Sequence, residues 1–564
     1  MMKPIRESIN EFLNNPGKRR VLIVGAAAGL LILFFIIMKP AVFGPDELYI
    51  DSTATPVSAL VKDINVDRPY YNKKVREKTI SFYRKNNNKT RWLEFNAPTS
   101  FYKTYVNAIE DAEKYGLNPD HYDLKNIRKD VDELYDKKER EAEDIARLDV
   151  RVTASVFLFT THLLEGRIRY AGFGDAIWSK HKPAEDDIEL LLTITSGKLS
   201  DVFEALHPEH EQYEKLRKAL KRYREFDNEF EIKLTAAAKT INPGDSDRSI
   251  PSIRRRLSLT DCKPYSPDDS LKYDDKLVDA MKQFQRRHGL EPDGVIGETT
   301  RQYLNQSLSH KADLIELNLE RLRWRPKKYG PDYISINIPE YMLRVYKNGR
   351  QKMEMRVVLG SEYNSTPVFS DTIEYIVFSP TWNVPASITE EEFVPKLKED
   401  PERLDPNRFI VYKNGEKVDP SDVDWEDDDL NLDEFRIVEN PGEMNSLGHV
   451  KFMLPNQYNV YLHDTPAERL FRENKRAYSH GCIRLEKPVD LARFLLAEND
   501  IRWNDDEIKE ALSREEPQDV PLEKKYPVEI EYRTVWIDDN GLVNFREDIY
   551  DHDKRQLALL KKLE

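Results

Sequence analysis

Residues 21–38 read VLIVGAAAGLLILFFIIM, a stretch without a charge or a proline. A helix of this length spans roughly 27 Å, close to the ~30 Å hydrocarbon core of a bilayer. The stretch exceeds the apolar region of a signal peptide, and Met38-Lys39-Pro40 is a poor cleavage site. Basic residues are concentrated before it, at Lys3, Arg6, Lys18, Arg19 and Arg20. The pattern therefore predicts an uncleaved transmembrane signal anchor, with residues 1–20 as a cytoplasmic tail and the remainder outside. A buried core helix is the alternative.

Composition limits the classes of partner. The chain has 564 residues, enough for about three or four domains. Lys and Arg total 87 against 101 Asp and Glu, and a net charge of −14 argues against nucleic-acid binding. Two cysteines cannot form a disulfide framework, although both would lie in an oxidising compartment. We interpret Cys262 as a packing residue, which leaves Cys482 in need of a chemical explanation.

Changes in hydrophobic period divide the chain into segments. Helical spacing dominates the first half, for example at Val152, Val156, Phe159 and Leu163, and alternation with a period of two begins at Ile334. The acidic run 424–434 is typical of a solvated loop. The predicted fold class is multidomain α+β. The predicted segments are a linker (39–74), a helical domain (75–245), a small module (246–307), a connector (308–333), a β-rich domain (334–503) with an insertion (386–440), and a C-terminal extension (504–564).

The small module has a clear helical signature. Leu277, Ala280, Met281 and Phe284 form one apolar face. Asp274 can cap the start of this helix and Gly289 can end it. Residues 280–305, AMKQFQRRHGLEPDGVIGETTRQYLN, resemble the peptidoglycan-binding module of bacterial wall hydrolases and transpeptidases. That resemblance implies a three-helix module that contacts glycan.

Residues 459–488 concentrate the side chains that can carry chemistry. Tyr461 and His463 alternate with apolar neighbours, so on a strand they share one face. Glycine in Ser479-His480-Gly481-Cys482 permits a tight bend that directs consecutive N–H groups at one point. A thiol needs a base to become a nucleophile, and His463 is better placed than His480. Two alternatives remain: a zinc site formed by His463, His480 and Cys482, and a buried structural cysteine.

The motif SHGCIR with an upstream YLHD resembles the signature of the L,D-transpeptidases with a YkuD-type catalytic domain. The order of segments resembles the large, membrane-anchored (YcbB-like) members of Gram-negative bacteria, in which the insertion is a capping subdomain. The resemblance extends to residues 366–388, 440–456 and 545–550. It implies a single-pass inner-membrane protein whose catalytic part lies in the periplasm.

The resemblance also implies residue roles. Cys482 is the nucleophile and His463 the general base, with the imidazole oriented by the main-chain carbonyl of Asp464. The Gly481 and Cys482 N–H groups form the oxyanion hole, with help from the Tyr461 hydroxyl. The remaining candidates shape the pocket or contact the donor peptide, and they are Ser479, His480, Arg484, Trp382 and Asn383. Many smaller members have glycine where this chain has Asp464, so its carboxylate is a second candidate for ordering this loop.

The implied activity is peptidoglycan L,D-transpeptidation. The thiolate attacks the carbonyl of the third residue of a tetrapeptide stem, releases D-alanine and passes the acyl group to an amine of another stem. No cofactor or metal is expected, carbapenem acylation is expected, and other wall-synthesis enzymes are candidate partners. Three alternatives are an L,D-carboxypeptidase, a ligase that attaches protein to peptidoglycan, and a non-catalytic wall-binding scaffold. The long insertion is also a candidate lid.

Overall fold

The computed structural model describes residues 56–63, 72–168, 187–193, 199–226, 232–235, 239–261, 266–327, 329–427 and 430–563. The predicted anchor at 21–38 and Cys262 lie outside these ranges. Within them, no helix combines the length and the apolar character needed to cross a membrane. The described residues form two compact units, one from those within Met1–Glu113, Leu117–Leu163 and Glu185–Leu206, and one from those within Lys114–Gly116, Leu164–Ala184 and His207–Glu564.

The first unit is helical. Its longest helix, Ala142–Glu165, buries Val152, Val156, Phe159 and Leu163, which confirms the predicted apolar stripe. The fully buried Asp149 on this helix accepts hydrogen bonds from the Tyr83 hydroxyl and from main-chain N–H groups, including that of Trp92 at 2.7 Å. The other helices are Val57–Asp63, Lys73–Lys85, Ser100–Glu110, Leu124–Asp136, Asp187–Thr193 and Leu199–Leu206. Val57–Asp63 lies within the predicted linker.

The predicted helical domain 75–245 is divided between the two units. Helix Glu211–Arg224 belongs to the second unit, where Leu216 and Leu220 share a buried cluster with Ile315 and Leu319 of helix Leu308–Arg323. Sequence periodicity alone could not reveal this division, because it shows that a face is buried and not which neighbour covers it.

The small module has three helices, Ile250–Leu257, Asp275–Arg287 and Glu298–Leu304. Asp274 caps the second of them by accepting a hydrogen bond from Leu277 N at 3.0 Å, as predicted. Gly289 follows the same helix at φ +70°, a left-handed conformation that favours glycine. The predicted helix start and stop are both confirmed.

A nine-stranded sheet dominates the second unit. Its order is β11-β3-β12-β10-β9-β4-β13-β1-β2, and a further pairing of β2 with β3 closes it on itself. Asn348 and Gly349 join β2 to β3 at φ +52° and +71°, the left-handed conformation that an Asn-Gly pair adopts in a two-residue hairpin turn. The strands are β1 (Tyr333–Asn337), β2 (Met342–Lys347), β3 (Arg350–Gly360), β4 (Ser370–Phe378), β9 (Val450–Met453), β10 (Leu462–His463), β11 (Ala477–Ser479), β12 (Ile483–Leu485) and β13 (Gln518–Glu531).

Strand β13 corrects the predicted end of the catalytic domain at 503. This strand pairs with β4 and with β1, so the sheet continues well into the predicted extension 504–564. Pro521, Pro527 and two lysines break its apolar alternation, and its register shifts between Pro521 and Tyr526. This region also contains three helices, Pro488–Glu498, Asp505–Leu512 and His552–Lys562. It further contains a hairpin, formed by β14 (Val535–Ile537) and β15 (Val543–Phe545).

The insertion forms a small sheet with its own core. The strands run in the order β5-β8-β6-β7, and they are β5 (Trp382–Asn383), β6 (Phe409–Lys413), β7 (Glu416–Val418) and β8 (Phe435–Glu439). Helices Ala386–Ile388 and Val394–Glu399 lie between β5 and β6. No strand forms in the described part of the acidic run 424–434, although Trp425 within it is buried.

Candidate active site

A cavity of about 770 Å³ brings together side chains from the nine-stranded sheet and the insertion. Cys482 and His463 both line it, although they are nineteen positions apart in sequence. Eight of the predicted site residues line the cavity: Trp382, Asn383, Tyr461, His463, Ser479, His480, Cys482 and Arg484. Asp464 and Gly481 do not line it.

His463 lies between two cations. On β10 it is opposite Lys451 of β9 on one side and Arg484 of β12 on the other. Its Nδ1 lies 2.6 Å from the main-chain oxygen of Asp464, the contact that the resemblance implied. An Nδ1–H that donates to this carbonyl leaves Nε2 with its lone pair. Burial, then Arg484 and then Lys451 lower the His463 pKa to about 3, so the imidazole is neutral at pH 7.

The side-chain carboxylate of Asp464 and its main-chain carbonyl have different hydrogen-bond partners. Its Oδ2 accepts a hydrogen bond from His449 N at 2.8 Å, and its Oδ1 accepts one from Thr465 N at 2.7 Å. Burial raises its pKa, and these two main-chain bonds oppose that rise. The carboxylate therefore orders the backbone around β10, whereas the main-chain oxygen contacts the imidazole.

Cys482 is held between Tyr461 and the two cations. Its Sγ lies 3.7 Å from Asn459 O. Burial raises the pKa of the thiol, and hydrogen bonds from the Tyr461 main chain and hydroxyl, with the positive charges of Lys451 and Arg484, act in the opposite direction. The Tyr461 ring lies 5.7 Å from the His463 ring, and the Lys451 Nζ lies 3.9 Å from the centroid of the Tyr461 ring.

The bend before Cys482 differs from the expected oxyanion hole. Gly481 adopts φ +109°, yet its N–H donates to Ser479 Oγ at 3.2 Å. Ser479 Oγ in turn donates to Cys482 O at 2.6 Å, and Thr366 Oγ1 donates to Gly481 O at 2.8 Å. In this conformation the Gly481 N–H is not available to an oxyanion, because the buried Ser479 hydroxyl accepts from it. The Cys482 N–H and the Tyr461 hydroxyl are the remaining predicted donors.

His480 and Arg484 present different faces to the cavity. His480 Nε2 lies 3.2 Å from Glu392 Oε1, so the motif contacts the insertion directly. Arg484 has a buried Nε without a hydrogen-bond partner in the described chain.

The alternative zinc site, with His463, His480 and Cys482 as ligands, is not formed in the described structure. None of the described His, Cys, Asp and Glu side chains form a group of three or more that could hold a metal.

Sequence reasoning missed Lys451, Asn459 and Glu392, which also line the cavity. The sequence pattern around Lys451 could have identified it. Lys451 lies between the apolar residues Val450 and Phe452, which are buried, so on a strand its side chain points to the opposite face. Burial lowers the pKa of its ammonium group, and the charge of Cys482 opposes that change. Glu392 lies in the insertion and had no sequence signal linking it to His480.

Residues 331–530 match the family model described as "L,D-transpeptidase catalytic domain". These residues are therefore similar to L,D-transpeptidase catalytic domains. Two further models match outside it: a "Scaffold domain" at residues 77–220 and a "Putative peptidoglycan binding domain" at residues 252–304. The expected combination of a helical scaffold, a peptidoglycan-binding module and a β-rich L,D-transpeptidase domain is thereby confirmed.

Individual relatives are similar over part of their length. A "Putative L,D-transpeptidase" of Haemophilus influenzae is 35% identical over 242 residues, which cover 43% of this chain and 48% of the relative. The chain thus spans about half the length of this curated relative. Among solved structures, the L,D-transpeptidase (Yku) from Stackebrandtia nassauensis is 12% identical, with 54% of this chain and 98% of that chain covered and a TM-score of 0.20. An L,D-transpeptidase from Mycobacterium smegmatis is 14% identical, with 36% and 58% covered and a TM-score of 0.17. Superpositions with scores this low do not establish a shared fold.

Proposed function

We propose that this chain is a peptidoglycan L,D-transpeptidase that cross-links third-position residues of stem peptides through an acyl-enzyme on Cys482. The observation that carries the proposal is the placement of Cys482 and His463 in one cavity of the matched catalytic domain, with His463 Nδ1 held by Asp464 O. A fixed Nδ1–H leaves Nε2 to exchange a proton with the reacting groups.

In the first half-reaction the Cys482 sulfur attacks the carbonyl carbon of the third stem residue. His463 Nε2 takes the thiol proton and then delivers it to the nitrogen of the departing D-alanine as the amide bond breaks. The Cys482 N–H and the Tyr461 hydroxyl donate to the developing oxyanion. The products are free D-alanine and a thioester on Cys482.

In the second half-reaction the side-chain amine of another stem attacks the thioester. His463 accepts a proton from this amine and returns one to the sulfur, which restores the thiol and forms the cross-link. Water in place of the amine would give a carboxypeptidase product, and a protein lysine would give an attached protein.

The charges of the cavity suit this donor. A tetrapeptide ends in a carboxylate, and Lys451 and Arg484 supply two cations beside the thiol. Arg484 also has a buried Nε that lacks an acceptor. A carboxylate bound there would reduce the positive charge around His463, so its pKa would rise and it would become a stronger base.

The proposed location follows from residues 21–38. We propose that this segment anchors the chain in the inner membrane and that the linker holds the catalytic domain against the wall in the periplasm. Protease accessibility of a carboxyl-terminal tag in spheroplasts would test it. A tag protected in spheroplasts and degraded only after lysis would contradict the proposal.

The experiment for the activity uses the full chain in detergent with purified disaccharide-tetrapeptides. Mass spectrometry should detect cross-links between third-position residues for the wild-type chain and none for Cys482→Ala or His463→Ala. Cys262→Ala is the matched control and should retain the products. Cross-links formed by Cys482→Ala would refute the proposal, and tripeptides without cross-links would identify a carboxypeptidase instead.

A further inference from the structure

A second cavity, of about 590 Å³, lies where the peptidoglycan-binding module meets the catalytic domain. We call it the junction groove. Arg286 and Tyr303 of the module face it from one side, and Tyr341, Arg476 and Arg546 of the catalytic domain face it from the other. It has no side chain in common with the cavity that holds Cys482.

The walls of the junction groove are held together by direct hydrogen bonds. Arg546 Nη1 donates to Arg287 O at 3.1 Å, and Arg287 Nη1 donates to Val543 O at 3.1 Å. A side chain at Gly289 would place its Cβ 2.7 Å from Arg546 Cδ, so glycine is required for this close approach. The groove is therefore formed before any ligand arrives, which reduces the entropy lost on binding.

Tyr341 contributes a buried hydroxyl to the junction groove. Its left-handed φ of +57° ends the short helix Ile338–Glu340, where its N–H donates to Ile338 O at 3.1 Å. Its side chain is only 6% exposed, its buried hydroxyl has no hydrogen bond from a described side chain, and the nearby Arg476 main chain partly offsets the rise that burial causes in its pKa. A buried polar group without a partner destabilises a fold, so an orphaned hydroxyl lining a cavity indicates a missing acceptor or donor.

Three arginines of the groove, Arg286, Arg476 and Arg546, form no ion pair with a described carboxylate, whereas its Arg344 and Arg356 pair with Glu340 and Glu486. Arg546 donates through Nη1 to main-chain oxygens of Arg287 and Phe545. Arg476 also donates only to carbonyls, those of Val357, Glu473 and Tyr341. Burial and then the neighbouring Arg356 lower the Arg476 pKa to about 10. Arg286 is exposed and has no ion pair or hydrogen bond from its side chain to the described chain.

The acidic side chains of the groove already have partners. Glu340 and Glu354 pair with Arg344, and Glu547 pairs with Lys475. Glu291 accepts a hydrogen bond from Asn474 Nδ2 at 3.4 Å. These carboxylates are engaged elsewhere, so the groove retains cations suited to a ligand carboxylate.

We propose that the junction groove binds a stem-peptide carboxylate of peptidoglycan, which pairs with Arg546 and Arg286 and hydrogen-bonds to the Tyr341 hydroxyl. This inference rests on the proposed function, because it takes the same polymer as ligand. Arg476 connects the junction groove to the catalytic cavity along the chain. Its side chain lines the groove, and strand β11, which begins at the next residue, is followed closely by Cys482. A stem held in the groove would set the position of the polymer relative to the catalytic cavity.

The test measures binding of the full chain carrying Cys482→Ala to three polymers in detergent. They are intact sacculi, sacculi with amidated carboxylates, and glycan strands stripped of stem peptides. On intact sacculi, we expect Arg286→Gln with Arg546→Gln to weaken the affinity about tenfold, since a charge-assisted pair is lost. The control Arg493→Gln removes a partly exposed arginine outside the groove, paired with Asp505, and should bind like the parent chain. Amidated sacculi should bind the parent and the double variant equally.

Tyr341→Phe keeps the test decisive if loss of Arg546 unfolds the junction. Removing a hydroxyl without a partner should leave the melting temperature unchanged or higher, yet weaken binding to sacculi several-fold. Unchanged affinity in both Tyr341→Phe and Arg286→Gln would overturn the inference. Equal losses on stripped glycan strands would also overturn it, because sugar and not carboxylate would then be recognised. Failure of the proposed function is a separate result, namely absence of Cys482-dependent cross-links from the wild-type chain.

Discussion

Lys451→Met is the substitution that most directly tests the electrostatics of the candidate active site. The Lys451 ammonium lies over the Tyr461 ring, and its strand position is opposite His463. Its charge opposes protonation of His463 and favours ionisation of Cys482. Removing the charge should therefore raise the pKa of both groups. Methionine retains most of the side-chain volume, so packing changes little.

The size of the effect follows from Coulomb's law. Opposed side chains of an antiparallel pair have Cβ atoms about 5 Å apart, and we take roughly 7 Å between the charges. At an effective dielectric constant of about 20, two unit charges at that distance interact by roughly 2 kcal/mol. Since one pKa unit corresponds to about 1.4 kcal/mol, the His463 and Cys482 pKa values should each rise by roughly one to one and a half units.

The assay is the pH dependence of Cys482 alkylation by iodoacetamide, followed by mass spectrometry of the Cys482 peptide. The thiolate is the reactive form, so the Lys451→Met midpoint should move to higher pH by about one unit and the rate at pH 7 should fall about tenfold. Lys451→Arg keeps the charge and should remain near the wild type. Lys525→Met, which removes an exposed lysine paired with Glu374, is the matched control. A Lys451→Met midpoint equal to or below the wild-type midpoint would refute the electrostatic reasoning.

Two further predictions concern buried charges outside the cavity. Lys311 is fully buried, and its Nζ lies 2.5 Å from His288 Nε2. Burial and then the charge of Arg287 lower the pKa of the Lys311 ammonium group. The unfolded chain therefore binds the proton more readily, and stability should rise with pH toward the ordinary lysine pKa of about 10.4. Lys311→Met should raise the free energy of unfolding at pH 7 by about 1 kcal/mol or more and reduce that pH slope in urea titrations; a less stable variant with the slope retained would contradict this. Asp149→Ala should lower the free energy of unfolding of the helical unit by about 3 kcal/mol, because Tyr83 and three main-chain N–H groups lose their acceptor. Burial raises the Asp149 pKa to about 6, so the wild type should gain stability relative to Asp149→Asn as pH falls from 6 to 4, and identical pH profiles would count against this account.

Local patterns predicted local structure well. The helix Asp275–Arg287, its Asp274 cap and its Gly289 stop depend on neighbours within four residues, and all three were readable from sequence. The Asn348-Gly349 turn was readable for the same reason. Strand β13 was not, because its prolines and lysines are accommodated by pairing with two distant strands.

In the candidate site, too, the contacts between sequence neighbours could be predicted and the long-range contacts could not. The shared face of Tyr461 and His463 was predicted from a period of two in the sequence, and their rings do lie close together, although β10 begins only at Leu462. Lys451 and Glu392 reach the cavity only through strand pairing and the fold of the insertion. The hydrogen bond from Gly481 N to Ser479 Oγ depends on a hydroxyl rotamer, which no sequence pattern specifies.

The central claim is that Cys482 carries the acyl group. The most direct measurement is intact-mass spectrometry of the full chain after rapid mixing with a tetrapeptide donor, without an acceptor, followed by acid quenching and peptide mapping. We predict an adduct on Cys482 equal to the donor less one D-alanine, with D-alanine released in equal amount, and no adduct on Cys482→Ala. D-alanine release by Cys482→Ala, or an adduct on another residue, would contradict the claim.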